Sequence, residues 1–222
     1  MVAVLDPFHA IAVSARAHAL AAQGRAIIHM EFGQPSTGAP APAIAAAHRV
    51  LDNGAMGYWE SPALKERIAR HYLETAGVTV DPACITLTCG ASPALVMALS
   101  LRFGPGDRVA IARPGYVAYR NNLRALFMEP VELPCGPAER YQLSAAALAA
   151  LHPAPAGVIL ASPANPTGTV IPPDELAAIV EVCRARGIHL IADEIYHGIT
   201  FGAEARTVLG IDPQAIVVNS FS

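Results

Sequence analysis

Four clusters of polar and turn-forming residues follow short apolar segments of this 222-residue chain, and their side chains are of kinds that bind ligands. The clusters span residues 89–93, 162–168, 193–196 and 219–222. Each comes directly after a segment whose composition predicts a buried strand. Because ligands of open parallel sheets gather outside the carboxyl ends of the strands, we expect these clusters to meet at one edge of a sheet.

The cluster at 89–93 reads Cys-Gly-Ala-Ser-Pro and opens a predicted helix. The free N–H groups and the dipole at a helix N-terminus favour an anion, and phosphate in particular. Ser92 is also a common N-cap residue, so an ordinary helix cap is the alternative interpretation.

The next two clusters hold side chains suited to hydrogen bonding in a cleft. Pro166 fixes its own φ and favours an extended backbone at Asn165, and Gly168 permits the turn, so one amide could be held rigidly against a ligand. Asp193 ends an apolar segment, where a carboxylate is costly to desolvate unless a cation pairs with it, and Tyr196 offers a phenol nearby. A plain strand-to-helix turn and a solvated loop acid are the alternatives.

Strands and helices alternate along most of the chain. Strands are predicted at 85–88, 108–112, 129–133, 157–161, 188–192 and 215–218. Helices are predicted from the Asp6-Pro7 start to near Gly24, and at 43–51, 62–75, 92–101, 116–126, 144–151 and 173–186. This alternation indicates βαβ units and an α/β fold with a mostly parallel sheet. Residues 1–45 do not share this alternation of strands and helices, and they predict an arm that packs on another domain or on a second subunit.

Composition argues against several classes of protein. Fifteen Lys and Arg against 18 Asp and Glu give a net charge of −3 without a basic block, so no nucleic-acid partner is predicted. The longest apolar stretches fall short of the roughly 18 to 20 residues of a spanning helix, which predicts no membrane association. The N-terminus lacks the basic region of a secretory signal, so we expect a cytoplasmic protein. Cysteines and histidines show no CxxC or HxxxH spacing, and no metal site is predicted.

Taken together, the order and spacing of the motifs resemble the fold-type I pyridoxal-phosphate enzymes, specifically the class I/II aminotransferase family. The matching elements are Gly33-Gln34-Pro35, Tyr58, Gly90-Ala91-Ser92, Pro114-Gly115-Tyr116, Asn165-Pro166-Thr167-Gly168, Asp193-Glu194-Ile195-Tyr196 and Ser220-Phe221-Ser222. The resemblance implies a three-layer αβα sandwich, the large domain of these enzymes, with an N-terminal arm that belongs to a small domain. The implied division is an arm at 1–45 and a cofactor-binding large domain at 46–222, incomplete at its C-terminal end.

The resemblance implies roles around the ring of pyridoxal 5'-phosphate (PLP). Asp193 matches the carboxylate that keeps the pyridine nitrogen protonated, so that the ring can accept electrons. Asn165 and Tyr196 match the pair that hydrogen-bonds the phenolic oxygen. Tyr116 matches an aromatic residue that stacks on the ring, with core packing as the alternative. Asp193 and Tyr196 are thus the candidate catalytic residues.

Further residues match the positions that hold the cofactor phosphate. Gly90, Ala91 and Ser92 correspond to the family's phosphate-binding helix start, and Ser220 corresponds to a later serine of the same set.

Two earlier residues match positions that involve a second subunit or the substrate. Tyr58 resembles a tyrosine that reaches the phosphate of the neighbouring subunit, which implies a homodimer with shared active sites. The spacing from Tyr58 to Leu64-Lys65 departs from the family's longer, glycine-containing stretch. Gly33 resembles the glycine whose backbone contacts the substrate carboxylate.

One expected residue follows the printed sequence. In the family, the Ser-Phe-Ser motif at 220–222 continues with the lysine to which the cofactor is covalently attached. We expect that lysine at the position after Ser222, in a longer natural chain. Lys65, the only lysine here, lies in the predicted helix 62–75 and cannot replace it.

The implied activity is transamination between an amino acid and a 2-oxo acid. Carbon–sulfur β-lyases and amino-acid synthases of fold type I share the cofactor-binding residues, so they are alternatives. A non-catalytic PLP-binding sensor domain is a further alternative. It requires a basic helix-turn-helix segment ahead of the domain, and residues 1–30 show none.

Overall fold

The computed structural model describes residues 5, 7–54, 57–58 and 60–221. Its helices are α1 (His9–Ala21), α2 (Ala41–Asn53), α3 (Pro62–Ala76), α4 (Ala91–Arg102), α5 (Val117–Ala125), α6 (Ala145–Ala149) and α7 (Pro173–Arg186). Its strands are β1 (Arg108–Arg113), β2 (Glu129–Pro134), β3 (Gly157–Ala161), β4 (His189–Asp193) and β5 (Ile216–Val218). Short 3-10 turns lie at Pro82–Cys84 and Val208–Gly210. Among the described residues, no helix combines the length and apolar character needed to cross a membrane.

The five strands form one parallel sheet in the order β2-β1-β3-β4-β5. The register pairs Ala161 with Asp193 and Asp193 with Val218, so β3, β4 and β5 end at the same level. The chain proceeds from β1 to β2 in one direction along the sheet and from β3 to β5 in the other. Sheets of this kind bind ligands at the carboxyl ends of the strands, beside the point where the order reverses. Here that point lies between β1 and β3.

Successive side chains of the strands pack into two separate cores, one on each face of the sheet. In β1, Ala110 belongs to the core that includes Leu148 of α6 and Ile179 of α7. Val109 and Ile111 belong to the other core, which α4 and α5 cover. Helices therefore lie on both faces of a parallel sheet, and the predicted three-layer α/β fold is confirmed.

Helix α7 shows how local signals place a helix against the strands of the site. Pro173 occupies the first turn together with Asp174, where a fixed φ and a negative charge both favour helix initiation. Gly187, with φ of 65°, ends the helix in the left-handed region that favours glycine. Arg186 donates to the carbonyl of Leu148 at 2.9 Å, which fixes the end of α7 to α6.

The chain divides into two compact units, one spanning Asp6–Ser61 and the other comprising Pro62–Ser222 with the first five residues. The first unit contains α1 and α2, and the second contains the sheet. The division predicted from the sequence, at residues 45 and 46, stays a prediction.

The strand predicted at 85–88 is wrong. Ile85 has an extended backbone, with φ of −99° and ψ of 125°, yet 85–88 is not part of the described sheet. Strand propensity alone does not make a strand, because the ladder needs a neighbouring chain segment to pair with. The remaining elements lie within three residues of their predicted bounds, and those of β3 and α7 coincide with them. Asp6, at which the first predicted helix starts, lies outside the described residues, and Phe8 is the N-cap of α1.

Gly157, the first residue of β3, provides a test of the packing beneath the site. A Cβ on Gly157 would lie 2.1 Å from Cζ of the buried Phe103 ring. We expect Gly157→Ala to lower the free energy of unfolding by about 1–3 kcal/mol, because overpacking displaces a core side chain or the strand. Urea denaturation measures the difference.

Gly104→Ala is the matched control for this variant. A Cβ there would have Asp107 Oδ2 as its nearest neighbour, at 4.0 Å. The free energy of unfolding should stay the same or rise by about 0.4–1 kcal/mol, since the unfolded chain loses freedom. Equal losses in the two variants would contradict the close approach of Phe103 to the sheet.

Candidate active site

A cleft of about 120 Å³ opens at the carboxyl ends of β3 and β4. The starts of α4 and α5 form part of its wall, together with the segments that follow β3 and β4. Ala91, Ser92, Tyr116, Asn165, Asp193 and Tyr196, all predicted from the sequence, line it.

Asp193, the last residue of β4, is a buried carboxylate at the edge of the cleft, only 9% exposed. Its Oδ2 accepts a hydrogen bond from the Tyr119 hydroxyl at 2.5 Å, and its Oδ1 accepts one from the Ile195 N–H at 3.2 Å. Burial raises the pKa of Asp193, while the bonds from Tyr119 and Ile195 act against that rise. A cation or an N–H⁺ donor in the cleft would favour its charged form.

Tyr119 is a site residue that the sequence reasoning missed. It lies in α5, is 5% exposed, and its ring meets that of Tyr116 edge-to-face with centroids 5.4 Å apart. Desolvation and the neighbouring Asp193 raise the pKa of Tyr119, so its hydroxyl stays protonated and donates. The i, i+3 spacing of the two tyrosines places them on one helix face, and this was the signal available in the sequence.

Asn165 and Tyr196 face one another across the cleft. The Asn165 Nδ2 group donates to the Tyr196 hydroxyl at 3.5 Å, and the Tyr196 side chain is partly exposed. The loop that carries Asn165 is closed by the Ala164 N–H, which donates to the Thr169 carbonyl at 3.0 Å. Buried Gln142 donates to the same carbonyl at 2.7 Å, which ties the loop to the body of the fold.

The start of α4 faces the same cleft. Gly90 is the N-cap, and its φ of 106° requires a residue without a side chain. The interpretation of Ser92 as an N-cap is therefore wrong, because Ser92 lies one residue inside the helix. No side chain of the described residues caps this end, and Ala91 and Ser92 line the cleft. The N-terminus of α4 is thus available to an anion.

Besides Gly90, the N-cap of α4, three predicted site residues are not among the residues that line this cleft. Ser220 follows β5 by two residues and is half-buried. Gly33 and Tyr58 belong to the other unit, where both are exposed. Their predicted roles stay predictions.

A cluster that histidine spacing did not predict lies in the unit Asp6–Ser61. Ligand atoms of His18, His29 and Glu31 lie within 4.8 Å of one another, and this arrangement could hold a metal ion. His29 Nδ1 is 2.8 Å from Glu31 Oε1, and this contact is the largest of several that lower the pKa of Glu31 to about 2. The three residues come from two segments of the chain, so a search for closely spaced motifs could not find them.

Known proteins resemble this chain over most of its length. The family described as Aminotransferase class I and II matches residues 26–222. The valine–pyruvate aminotransferase of Mycobacterium tuberculosis is 46% identical over 201 residues, covering 88% of this chain and 52% of that protein. The aspartate aminotransferase of Geobacillus stearothermophilus is 30% identical over 230 residues, covering 100% of this chain and 58% of that protein. The chain spans about half the length of the curated relatives it matches.

Solved structures give the same result. An aminotransferase from Mycobacterium tuberculosis superposes with a TM-score of 0.95 at 43% identity, over 98% of this chain and 58% of that one. The aspartate aminotransferase of Thermus thermophilus with maleate has a TM-score of 0.93 at 27% identity, with the same coverage of 98% and 58%. These likenesses confirm the fold predicted from the motifs.

The hydrogen bond from Tyr119 to Asp193 leads to a prediction. In Tyr119→Phe, we expect the pKa of Asp193 to rise by about one to two units, because a hydrogen bond to a charged group contributes about 1.5–3 kcal/mol. The folded-state pKa of Asp193 already lies above the ordinary value of 3.8, so stability is lost as the pH rises from 3.8 through the folded-state pKa. In Tyr119→Phe, the pH range over which the free energy of unfolding falls therefore extends to higher pH.

Carbon-13 NMR titration of the Asp193 carboxyl measures the change. Tyr141→Phe is the control, because Tyr141 is partly exposed and lies outside the cleft. An unchanged pKa of Asp193 in Tyr119→Phe would show that the phenol does not stabilise the carboxylate.

Proposed function

Since the chain belongs to the class I and II aminotransferase family, we propose that it acts as a PLP-dependent aminotransferase, which moves an amino group between an amino acid and a 2-oxo acid. The observation that carries the proposal is the buried Asp193 carboxylate at a cleft shared with Asn165, Tyr196 and the start of α4. When bound, PLP supplies a protonated pyridine ring that draws electrons from the bond being broken in the substrate.

The polar groups of the cleft fit the polar groups of PLP. A pyridine N–H⁺ would compensate the cost of burying the Asp193 carboxylate. The free N–H groups at the start of α4 suit a phosphate dianion. Asn165 and Tyr196 supply an amide and a phenol for the oxygen on the opposite side of the ring. These three kinds of group are those that the family resemblance assigns.

Asp193 holds the proton on the ring nitrogen. Tyr119 occupies Oδ2, and Oδ1 receives only a longer bond of 3.2 Å from Ile195, so Oδ1 retains a lone pair for the ligand. Without the carboxylate, the ring nitrogen would lose its proton more readily and would withdraw electrons less strongly.

Asn165 and Tyr196 orient the ring and stabilise negative charge on its phenolic oxygen by donating hydrogen bonds. Their present contact of 3.5 Å is long, so both groups can turn toward a ligand at small cost. Tyr116 presents its aromatic ring to the same cleft and would stack on the cofactor.

The phosphate would be held by the N–H groups of Ala91 and Ser92 and by the Ser92 hydroxyl. The positive φ of Gly90 turns the chain so that these N–H groups begin the helix, and the helix dipole adds to their attraction for the anion. Ser220 belongs to the same proposal, as does a lysine after Ser222 that would attach the cofactor.

Substrates and assembly are also proposed. The relative that is 46% identical is named for valine and pyruvate, which supports an apolar amino acid as donor and pyruvate as acceptor. Gly33 would contact the substrate carboxylate. The fully exposed Tyr58 ring is free to reach the phosphate of a second subunit in a homodimer. A cytoplasmic location remains a prediction from the sequence.

The activity is tested on the full-length protein that the gene encodes. With PLP and valine, we expect one equivalent of pyridoxamine 5'-phosphate and one of 2-oxo acid, and pyruvate should restore the starting form. Asp193→Asn should lower kcat/KM by about 10²–10³-fold, because it removes a charge that stabilises the transition state.

Asp174→Asn is the matched control, since Asp174 is an exposed acid in the first turn of α7. Its kcat/KM should stay within about twofold of the wild-type value. Release of ammonia without pyridoxamine 5'-phosphate would overturn the proposal in favour of a lyase.

A further inference from the structure

Glu194, the residue after Asp193, is a buried acid that the proposed reaction does not use. It is 3% exposed, and its Oε1 accepts hydrogen bonds from the Val208 N–H at 2.8 Å and the Thr207 hydroxyl at 3.1 Å. Its Oε2 has no hydrogen-bond partner within the part of the chain that the structure describes. A buried polar atom of this kind needs an explanation.

His197 lies opposite that atom. Its Nδ1 is 3.5 Å from Glu194 Oε2, and its Nε2 is 3.0 Å from the carbonyl oxygen of Ser162. A carbonyl can only accept a hydrogen bond, so Nε2 carries a hydrogen and donates it. If His197 is neutral, Nδ1 then presents a lone pair to Glu194.

The contact between His197 Nδ1 and Glu194 Oε2 is favourable only when one proton lies between the two atoms. An ionised carboxylate and a neutral Nδ1 would place two lone pairs against each other in a buried site, which is unfavourable. One proton between Nδ1 and Oε2 satisfies both atoms and draws them from 3.5 Å toward hydrogen-bond distance.

The surrounding charges are consistent with a retained proton. Burial raises the pKa of Glu194 to about 7 and lowers the pKa of His197, so both shifts favour a proton on the carboxyl. The negative charge of Asp193 acts on both groups and raises the pKa of each, which also favours retention of the proton. Tyr72 also interacts electrostatically with Glu194.

The contacts of this pair join the two segments that carry cleft residues. Tyr196 lies between Glu194 and His197, in a turn closed by the His197 N–H donating to the Glu194 carbonyl at 2.9 Å. Ser162 begins the loop that carries Asn165, and its hydroxyl accepts from the Ile171 N–H at 3.0 Å. The bond from His197 to Ser162 therefore connects the turn of Tyr196 to the loop of Asn165.

We propose that Glu194 and His197, joined by one shared proton, are positioning residues that fasten the turn carrying Tyr196 to the loop carrying Asn165. The proposal rests on the proposed function, in which Asn165 and Tyr196 hold the same oxygen of the cofactor. The pair sets the spacing of these two donors and touches neither cofactor nor substrate.

Four variants of the full-length protein test the arrangement through the dissociation constant of PLP, measured by equilibrium dialysis. Glu194→Gln keeps an acceptor for Val208 and Thr207 and offers an N–H to Nδ1, so PLP affinity should stay within about twofold of wild type. Glu194→Leu removes the partner of His197 Nδ1, and His197→Leu removes the hydrogen bond to the Ser162 carbonyl. In each variant the dissociation constant of PLP should rise about tenfold. Thr207→Val removes the bond to Oε1 and the bond that the Leu209 N–H donates to the Thr207 hydroxyl, but it leaves the contact between Glu194 and His197 in place. PLP affinity should therefore stay unchanged, which separates positioning from general loss of stability.

Nitrogen-15 NMR of His197 in the wild-type protein tests the shared proton without any substitution. We expect Nε2 to be protonated, and we expect the nitrogen-15 chemical shift of Nδ1 to differ from that of a ring nitrogen without a hydrogen bond. A bare Nε2, or a free Nδ1, overturns the proposal. So does a Glu194→Gln variant that loses affinity as Glu194→Leu does, or a His197→Leu variant that keeps it.

Asn165→Ala distinguishes failure of this proposal from failure of the proposed function. It removes a direct cofactor contact and should weaken PLP binding whether or not the pair positions the loops. If Asn165→Ala binds PLP normally, the cofactor site itself is wrong. If Asn165→Ala weakens binding while His197→Leu does not, only the positioning role is wrong.

Discussion

The cost of burying the Asp193 carboxylate is the constraint on which the rest of the site depends. The apolar run of β4 carries the chain through the core, so its last residue emerges at the cleft with little exposure. A charge there is unfavourable unless hydrogen bonds and a cation compensate. The Tyr119 phenol and the Ile195 N–H provide the hydrogen bonds. In the proposed function, the cofactor's ring nitrogen provides the cation. The buried carboxylate then lowers the stability of the protein without its cofactor and strengthens the binding of the cofactor.

The sheet topology brings the partners of that carboxylate together. Because β3 and β4 pair in register, the loop carrying Asn165 and the turn carrying Tyr196 leave the sheet side by side. The starts of α4 and α5 lie at the same edge, so one edge collects the N-terminus of α4, the rings of Tyr116 and Tyr119, and the polar side chains that follow β3 and β4. Each of these groups comes from a different strand end or helix start, so the motifs are scattered along the sequence.

Much of this arrangement could be predicted from the sequence, and the failures have physical causes. The bounds of β3 and α7 were predictable because proline and glycine mark their ends locally. The absence of 85–88 from the described sheet was not predictable, because strand propensity depends on local sequence whereas strand pairing depends on distant segments of the chain. Tyr119 was missed because its partner lies 74 residues further along the chain. The buried acid Glu194 was missed as a separate feature because its burial and its contact with His197 exist only in the folded chain.

Asp193 and Glu194, the two adjacent acids at the end of β4, lie in different electrostatic environments because successive side chains of an extended chain point in opposite directions. Side chains alternate along an extended chain, so Asp193 faces the cleft and Glu194 contacts Thr207 and Val208. Two neighbouring negative charges in a buried site would raise each other's pKa, and Asp193 does act on Glu194 in this way. In the proposed pair with His197, Glu194 keeps a proton and is neutral. The negative charge then concentrates on Asp193, which in the proposed function pairs with the ring nitrogen of the cofactor. His197 thus links the spacing of the cleft residues to the charge state of the carboxylate beside them.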